Sequence, residues 1–190
     1  MSRIFTEDEE FKGVDFTTNL LEEGDYDGCS FINCNLLNAN LLEIAFTNCT
    51  FDNCDLSMAK LGNTAFRGVT FKNCKLMGLR FDHCNQFSLA LKFDNCILNF
   101  SSFFKLKLKD IVFKNCNMKD VDFVETNLTG TTFYKCDLEG ATFERTNLEK
   151  ADFSTSHNYS IHPESNKIKK ARFSADGIKG LLTRYDIIIE

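Results

Sequence analysis

The chain is poor in the residue types from which catalytic and metal centres are usually built. Among its 190 residues there are no tryptophans, one proline and three histidines, and His83, His157 and His162 are scattered along the chain. No nucleophile stands beside a general base, and no glycine-rich phosphate loop is visible. The nine cysteines include no Cys-x-x-Cys pair, a common signature of metal and redox sites. These absences predict a protein that is not an enzyme and that holds no metal and no cofactor.

Long apolar segments are also missing. No apolar stretch approaches the roughly 18–20 residues that are needed to cross a bilayer. The N-terminal sequence MSRIFTEDEE is acidic and lacks the apolar core of a secretory signal. We therefore expect a cytoplasmic protein that does not contact a membrane.

Phenylalanine, in contrast, is abundant, with 20 residues, and most of them follow a strict spacing. Every fifth residue from Phe11 to Phe81 is Phe, Leu or Tyr, and the pattern resumes at Phe93 and continues to Phe153. The residue two positions earlier is usually small or apolar, and the other three are largely polar. Such a unit fits neither the period of a helix nor that of a strand, so the chain must turn a corner in every unit. Four units close a coil, which predicts an all-β fold: a right-handed quadrilateral parallel β-helix of about seven coils.

The individual units carry a family resemblance. The segments AFTNC, CDLSM, TNLTG, CDLEG, ATFER, TNLEK and ADFST resemble the A(D/N)LxX consensus of the pentapeptide-repeat proteins. The resemblance covers residues 11–153 and implies the same β-helical fold. On this basis we expect an acidic lead-in over residues 1–10 and a C-terminal cap and dimerisation segment over residues 154–190.

The inward positions form a predicted core ladder. All nine cysteines fall on the small inward position, three residues after an aromatic residue, where a buried thiol acts as a small apolar group. We therefore predict buried, free thiols. The ladder consists of Phe31, Phe51, Phe71, Phe93, Phe113, Phe133 and Phe153 together with Cys34, Cys54, Cys74, Cys96, Cys116 and Cys136.

One polar edge of the predicted rod is built from asparagine. Residues 33, 53, 73, 95 and 115 are all Asn, a residue that tolerates the left-handed backbone of a tight corner and whose amides can bond to one another along a stack. One residue earlier come Asp52, Lys72, Asp94 and Lys114, whose alternating charges we expect to pair.

The repeat is interrupted between Phe81 and Phe93. Twelve residues stand where ten would keep the register, which places a register shift at residues 82–92. We interpret it as two one-residue bulges with Phe87 as the intervening inward ring. A tolerated insertion and a partner contact both remain open as explanations.

The last residues combine a predicted helix with an apolar terminus. Ser174 is a candidate N-cap for a helix over about 175–185, and DIIIE is expected to form a short β segment. The order of these features is similar to the C-termini of the Qnr quinolone-resistance proteins, a mycobacterial fluoroquinolone-resistance homologue and a microcin immunity protein. That resemblance implies a homodimer. The expected interface residues are Ile178, Leu181, Leu182, Tyr185, Ile187, Ile188 and Ile189.

The same resemblance suggests a function. Proteins of the Qnr-like group bind the type II topoisomerases DNA gyrase and topoisomerase IV, where an acidic rod is thought to imitate duplex DNA. For this chain it implies a partial DNA mimic that protects the enzyme from quinolones or a toxin. The candidate acidic face comprises Glu22, Glu23, Asp25 and Asp27 near one end of the rod and Asp120, Asp122, Glu125, Asp137, Glu139 and Glu144 near the other.

The distribution of charge leaves alternatives open. Residues 1–59 carry 12 acidic and 2 basic side chains, residues 60–119 carry 3 and 11, and residues 120–190 carry 12 and 9. The middle of the rod is therefore basic, with a belt formed by Lys72, Lys75, Lys92, Lys105, Lys107 and Lys109. This belt favours a rigid protein-interaction scaffold with another cytoplasmic partner. Direct binding of nucleic acid is not expected, because nearly all of the Phe residues are assigned to the core.

Overall fold

Parallel pairing at a separation of 20 residues organises the chain. In a computed structural model that describes residues 3–188, Phe31 pairs with Phe11 on one side and with Phe51 on the other. The result is a parallel β-solenoid of about seven coils, as the repeat predicted. The strands are β1 (Ile4–Glu7), β2 (Glu10–Lys12), β3 (Gly24–Asp27), β4 (Ser30–Ile32), β5 (Ala45–Thr47), β6 (Thr50–Asp52), β7 (Ala65–Arg67), β8 (Val69–Lys72), β9 (Leu91–Asp94), β10 (Val112–Lys114) and β11 (Thr132–Tyr134). Three short 3₁₀ helices complete the description: η1 (Phe81–His83), η2 (Asp176–Leu181) and η3 (Thr183–Tyr185).

Each coil contributes to four faces. We number them in chain order by the large inward residues of one coil: Phe46 for face 1, Phe51 for face 2, Leu56 for face 3 and Leu61 for face 4. Face 1 begins as a sheet in the order β1-β3-β5-β7, and face 2 is a sheet in the order β2-β4-β6-β8-β9-β10-β11. Faces 3 and 4 are held by single parallel bridges, such as Asn35 with Asp55.

Stacked side chains fill the interior. Phe51 lies between Phe31 and Phe71, with ring centroids 4.5 and 5.2 Å away, and contacts Phe46 edge-on at 5.3 Å. The small inward positions between the rings are taken by cysteine, and all nine thiols are buried and free. All of the Phe and Cys residues predicted for the core ladder are buried.

The corners require a left-handed backbone, which explains the asparagine edge. Asn33, Asn53, Asn73 and Asn95 all have φ near +54°, in the range 53–56°. The Asn53 amide donates to Asn33 Oδ1 at 2.7 Å, and the Asn95 amide donates to Asn73 Oδ1 at 2.8 Å. The edge therefore satisfies its polar groups along the rod, as predicted.

The charges beside this edge pair only in part. Lys114 Nζ lies 2.9 Å from Asp94 Oδ2. Asp52 instead accepts a hydrogen bond of 2.8 Å from the amide of Asn73 and forms no ion pair with Lys72 among residues 3–188. The expected ion pair is thus present between Asp94 and Lys114, whereas an amide contact replaces it at Asp52.

The interruption is a single insertion, and our prediction of two bulges was wrong. Asn85 still pairs with Ala65 at a separation of 20, whereas Leu91 pairs with Val69 at 22, so both extra residues lie between Asn85 and Leu91 on face 1. Phe87 is not an inward ring, because 76% of its surface is exposed. Leu89 packs against the core instead.

Both ends of the solenoid differ from the expected boundaries. The first coil begins at Ile4, within the segment that we expected to lead into the repeat, because β1 pairs with β3. Gly24 makes this possible, since a Cβ atom there would collide with the side chain of Ile4. At the other end, Phe173 stacks on Phe153 at 5.4 Å, which completes the partial last coil that we predicted.

The tail beyond Phe173 is helical in a different form from the one predicted. Its segments η2 and η3 are 3₁₀ turns rather than one regular helix over 175–185. Ser174 does act as a cap, because its Oγ accepts a hydrogen bond of 3.0 Å from the Gly177 amide. Residues 186–188 form no strand, so the predicted β segment is absent from the part of the tail that the structure describes.

Candidate partner-binding surfaces

The thiol columns are closed to ligands. The Cys54 thiol donates to the carbonyl oxygen of Phe31 at 3.2 Å, and the Cys49 thiol donates to that of Tyr26 at 3.3 Å. Burial raises the pKa of Cys49 to about 12, so the thiolate that would react or bind metal is disfavoured. Within residues 3–188, no three His, Cys, Asp or Glu side chains are placed to hold a metal ion.

The carboxylates predicted near the N-terminal end of the rod are mostly free. Glu22 and Glu23 make no side-chain hydrogen bond or ion pair with any described residue. Asp25 pairs with Arg3 at 3.0 Å, and Asp27 accepts a hydrogen bond of 3.3 Å from the Asn48 amide. This part of the acidic face keeps most of its negative charge unpaired.

Half of the carboxylates predicted nearer the C-terminal end have cationic partners. Lys119 lies 2.6 Å from Glu139 and 3.6 Å from Asp137. Glu125 lies between Arg145 and Lys105, at 2.8 and 3.4 Å, and the hydrogen bond from Arg145 is the main reason why the pKa of Glu125 is lowered.

The other members of this second set have no cationic partner. Asp122 accepts hydrogen bonds from the Val124 amide at 2.8 Å and from the Ser102 hydroxyl at 3.2 Å. Asp120 and Glu144 make no ion pair among the residues that the structure describes. The two predicted acidic groups therefore differ: most of the first group carries unpaired charge, whereas half of the second group is paired with cations along the rod.

The basic belt is also divided. Lys75 faces Asp55 at 3.9 Å, and Lys105 is held by Glu125. The remaining belt residues form no ion pair within residues 3–188 and lie on faces 1 and 2. They are Lys72, Lys92, Lys107 and Lys109.

The tail carries both a capping part and an exposed apolar part. Gly180 is buried at the end of the rod, and its carbonyl accepts a hydrogen bond of 3.0 Å from the Ile161 amide. Leu181 packs against the core, so it serves the cap. Tyr185, Ile178, Ile187 and Ile188 are exposed, the last at 90%. Leu182 is half-buried, and Ile189 lies outside the described residues.

Comparison with known proteins agrees with this architecture. A family model described as "Pentapeptide repeat region" matches residues 24–92 and 79–153. The chain belongs to the pentapeptide-repeat family. No curated protein matches it.

Solved structures extend the likeness of this pentapeptide-repeat protein to its ends. A trypsin-treated form of QnrB1, described as a plasmid-mediated fluoroquinolone resistance protein, is 18% identical, with a TM-score of 0.62 over 98% of this chain and 92% of that chain. Full-length QnrB1 is 16% identical, with a TM-score of 0.57 over 97% and 100%. At such identity the likeness shows the fold alone.

Sequence reasoning missed a set of exposed aromatic side chains on the pentapeptide-repeat rod. Phe5, Phe87 and Phe100 are each more than half exposed, and Lys105 Nζ lies 4.6 Å from the ring centroid of Phe104. A signal was available, because none of these four Phe residues falls on the every-fifth-residue pattern. Our assumption that nearly all Phe residues belong to the core was therefore wrong.

Proposed function

We propose that this pentapeptide-repeat protein is a cytoplasmic homodimer that binds a type II topoisomerase, DNA gyrase or topoisomerase IV, as a partial mimic of duplex DNA. Binding would protect the enzyme from a quinolone or from a peptide toxin, without catalysis by this chain. The observation that supports the proposal is the fold likeness to the fluoroquinolone resistance protein QnrB1, which extends over nearly the whole of both chains. The positive channel in which a topoisomerase holds its DNA is the expected target of an acidic rod.

The free carboxylates near the N-terminal end support the mimicry better than the paired ones. Glu22 and Glu23 are exposed and carry unpaired charge, whereas Glu125, Asp137 and Glu139 have cationic neighbours within 3.6 Å. A carboxylate that already faces a lysine or arginine adds little attraction for a second cation, because its field is compensated locally. We therefore assign the stronger contact to the N-terminal part of each rod.

Homodimerisation through the tail is supported by its exposed apolar residues. Ile178, Tyr185, Ile187 and Ile188 are each at least half exposed in the single chain. Exposed isoleucines at a chain end are typical of an interface that a second copy buries. Such a dimer would join two rods at their C-terminal ends and place the free acidic ends far apart.

A supercoiling assay tests the proposal. DNA gyrase is titrated with the wild-type protein, with and without a fluoroquinolone. We expect the protein either to change the supercoiling activity or to relieve its inhibition by the drug. The double variant Glu22→Gln/Glu23→Gln should weaken either effect. Asp137→Asn/Glu139→Gln is the matched control, because both of its carboxylates are already paired with Lys119. Unchanged supercoiling at every protein concentration, in both the presence and the absence of drug, would refute the proposal.

A second function is favoured by the basic belt. Lys72, Lys92, Lys107 and Lys109 are cations without an ion pair in the described part of the chain, which is not what a uniform DNA mimic requires. They suit a rigid scaffold that binds an acidic surface of another protein. In that case the double variant Lys107→Glu/Lys109→Glu no longer recovers the partner in a pull-down, and the wild-type protein has no effect on the supercoiling activity of gyrase.

A further inference from the structure

Among residues 3–188, no further coil covers the N-terminal end of the rod. Strand β1 is the last strand of the face 1 sheet, and β2 is the last strand of the face 2 sheet, so each has a neighbour on one side only among the described residues. Edge strands of this kind attract further strands unless they are covered. The C-terminal end, in contrast, is closed by Gly180 and the tail.

The backbone of the first coil has donors without acceptors. In later coils, the residue before each large inward residue donates its N–H group to the preceding coil, as Asn35 does to Val14 at 2.9 Å and Thr50 does to Cys29 at 3.0 Å. Glu10 and Asp15 occupy the same position in the first coil, where no preceding coil exists among the described residues. Their N–H groups point out of the end of the rod.

An apolar hollow lies at the same end. It has a volume of about 400 Å³ and is lined by the partly buried Ile4, Phe11 and Leu21 and by the buried Phe16. Leu20 also lines it and is 72% exposed. Phe31, which corresponds to Phe11 in the next coil, is fully buried. Asn40, which corresponds to Leu20, is exposed, so Leu20 is an additional apolar residue at this end.

The charge around the hollow selects what can fill it. Glu9 and Glu22 line the hollow, and Glu7, Asp8 and Glu10 stand on or beside β1 and β2. Two such ends would repel each other, because the nearby cations are few and Arg3 is already paired with Asp25. The basic last coil of a second copy is not available either, since its tail covers it. The occupant must be positively charged and come from another protein.

We propose that the N-terminal end of the rod binds a basic, extended segment of a partner protein, which adds as one more parallel strand beside β2. Its backbone carbonyls accept from the N–H groups of the first coil, its apolar residues enter the hollow, and its Lys or Arg residues face the carboxylates. Alternation of side chains along a strand places both kinds of residue correctly. This binding mode does not require the partner to be a topoisomerase.

Fluorescence anisotropy with model peptides tests the proposal. The probe is a short fluorescein-labelled peptide of alternating valine and lysine, with a valine–glutamate peptide and a serine–lysine peptide as controls. We expect the first to bind at low salt and both controls to bind about tenfold more weakly or not at all, because cross-strand charge pairs and apolar burial each contribute. No binding of the valine–lysine peptide at low salt, or equal binding of the glutamate peptide, would overturn the proposal.

Variants locate the site. Leu20→Lys and the double variant Glu9→Gln/Glu22→Gln should each weaken binding about tenfold, since both change the hollow without altering a buried core residue. Met58→Lys and Asp120→Asn are the matched controls, because Met58 is 59% exposed and Asp120 is acidic, and both lie away from the end. Equal losses at the end and control positions would place the peptide elsewhere and refute the site.

Hydrogen exchange separates strand addition from simple charge attraction. On binding, the amide of Glu10 in β2 should exchange more slowly, because the peptide then accepts its hydrogen bond. Binding that depends on the end residues but leaves this amide unchanged would overturn the added strand. Light scattering of the protein alone gives a further check: growth with concentration that Leu20→Lys abolishes would make a second copy the occupant and contradict our choice.

Discussion

Phe113 shows how a single residue contributes to the rod. Its ring is fully buried, with the stacked centroids of Phe93 and Phe133 each 5.3 Å away and with edge contacts to Phe103 and Phe123 at 5.7 and 6.0 Å. The neighbouring coils are held at the strand spacing by backbone hydrogen bonds, so they cannot collapse into a void.

Replacement of this ring should therefore be costly. We expect Phe113→Ala to lower the free energy of unfolding by about 3–5 kcal/mol, the range for large-to-small changes at packed aromatic sites. Urea unfolding followed by circular dichroism measures the loss. Phe87→Ala is the control, because that ring is exposed, and it should change stability by less than about 0.5 kcal/mol. A loss below about 1 kcal/mol for Phe113→Ala would contradict the packing described here.

The thiols give a second test at this scale. Cys54 and Cys116 are buried at the small inward position, and a hydrogen bond with the neighbouring thiol of Cys136, together with burial, raises the pKa of Cys116 to about 12. We expect neither thiol to be labelled by iodoacetamide in the native protein, whereas both should be labelled in urea. Mass spectrometry of the digested protein identifies the labelled positions. Rapid labelling of the native protein at either position would show that the columns open.

At the scale of elements, neighbouring residues of the tail have different roles, because some cap the end of the rod and others are exposed and available for self-association. Leu181 packs on the end of the core, and Gly180 lies so close to Tyr159 that a Cβ atom at position 180 would meet the Tyr159 carbonyl oxygen. Ile178, in the same 3₁₀ segment, is exposed. Capping and self-association can therefore be separated by mutation.

We expect Ile178→Asp to convert a dimer to a monomer without loss of thermal stability, because the new charge would be buried only in the dimer. Leu181→Asp should lower the melting temperature as well, since it places a charge against the core of each rod. Multi-angle light scattering and thermal unfolding distinguish the two effects. A wild-type protein that is monomeric at all concentrations would remove the basis of this prediction.

The insertion on face 1 shows the limit of periodic reasoning. The pattern fixes which residues point inward as long as the register holds, but two extra residues can be placed on any corner without changing the repeats on either side. Leu89 packs partly buried against the core, whereas Phe87, two residues earlier, is exposed. Short-range pattern alone cannot choose between them, because the outcome depends on the shape of the neighbouring coils.

At the scale of the whole molecule, ion pairs between coils make stability depend on pH. Burial raises the pKa of Asp137, but hydrogen bonds from Asn158 and the Glu139 amide and the charges of Lys119 and His157 outweigh it, so its pKa lies below the usual value. The pKa values of Asp82, Asp152 and Glu125 are lowered as well. The stability that these groups contribute is present above the ordinary pKa of a carboxyl group and is lost as the pH falls through the lowered values in the folded protein.

We therefore expect the melting temperature to decrease when the pH is lowered below about 4–5. Asp137→Asn should flatten this acid slope, and Asp120→Asn, which removes a carboxylate without a cationic partner, should not. Thermal unfolding over a pH series measures both. An identical slope for the wild type and Asp137→Asn would show that these contacts do not matter for stability.

The architecture was predictable from the sequence, whereas the state of its surface charges was predicted only in part. The 20-residue spacing predicts that Phe31, Phe51 and Phe71 stack, because each coil has 20 residues and places every residue above the one 20 positions earlier. The same rule would have predicted that Lys119 meets Glu139 and that Glu125 meets Arg145, since each pair is 20 residues apart. The 3₁₀ form of the tail could not be predicted in this way, because it depends on the contact between Gly180 and Tyr159 rather than on any repeat.

Pairing partners 20 residues apart also determine how the chain can fold as it is synthesised. Each coil needs only the coil made just before it, so a nascent chain can close one layer each time another 20 residues leave the ribosome. At about 5–20 residues per second, a new layer is completed roughly every 1–4 s. Until the tail emerges, the most recent layer is a bare, growing edge to which any exposed strand could attach. The tail then covers that growing end, while β1 and β2 keep a neighbouring strand on one side only among the described residues.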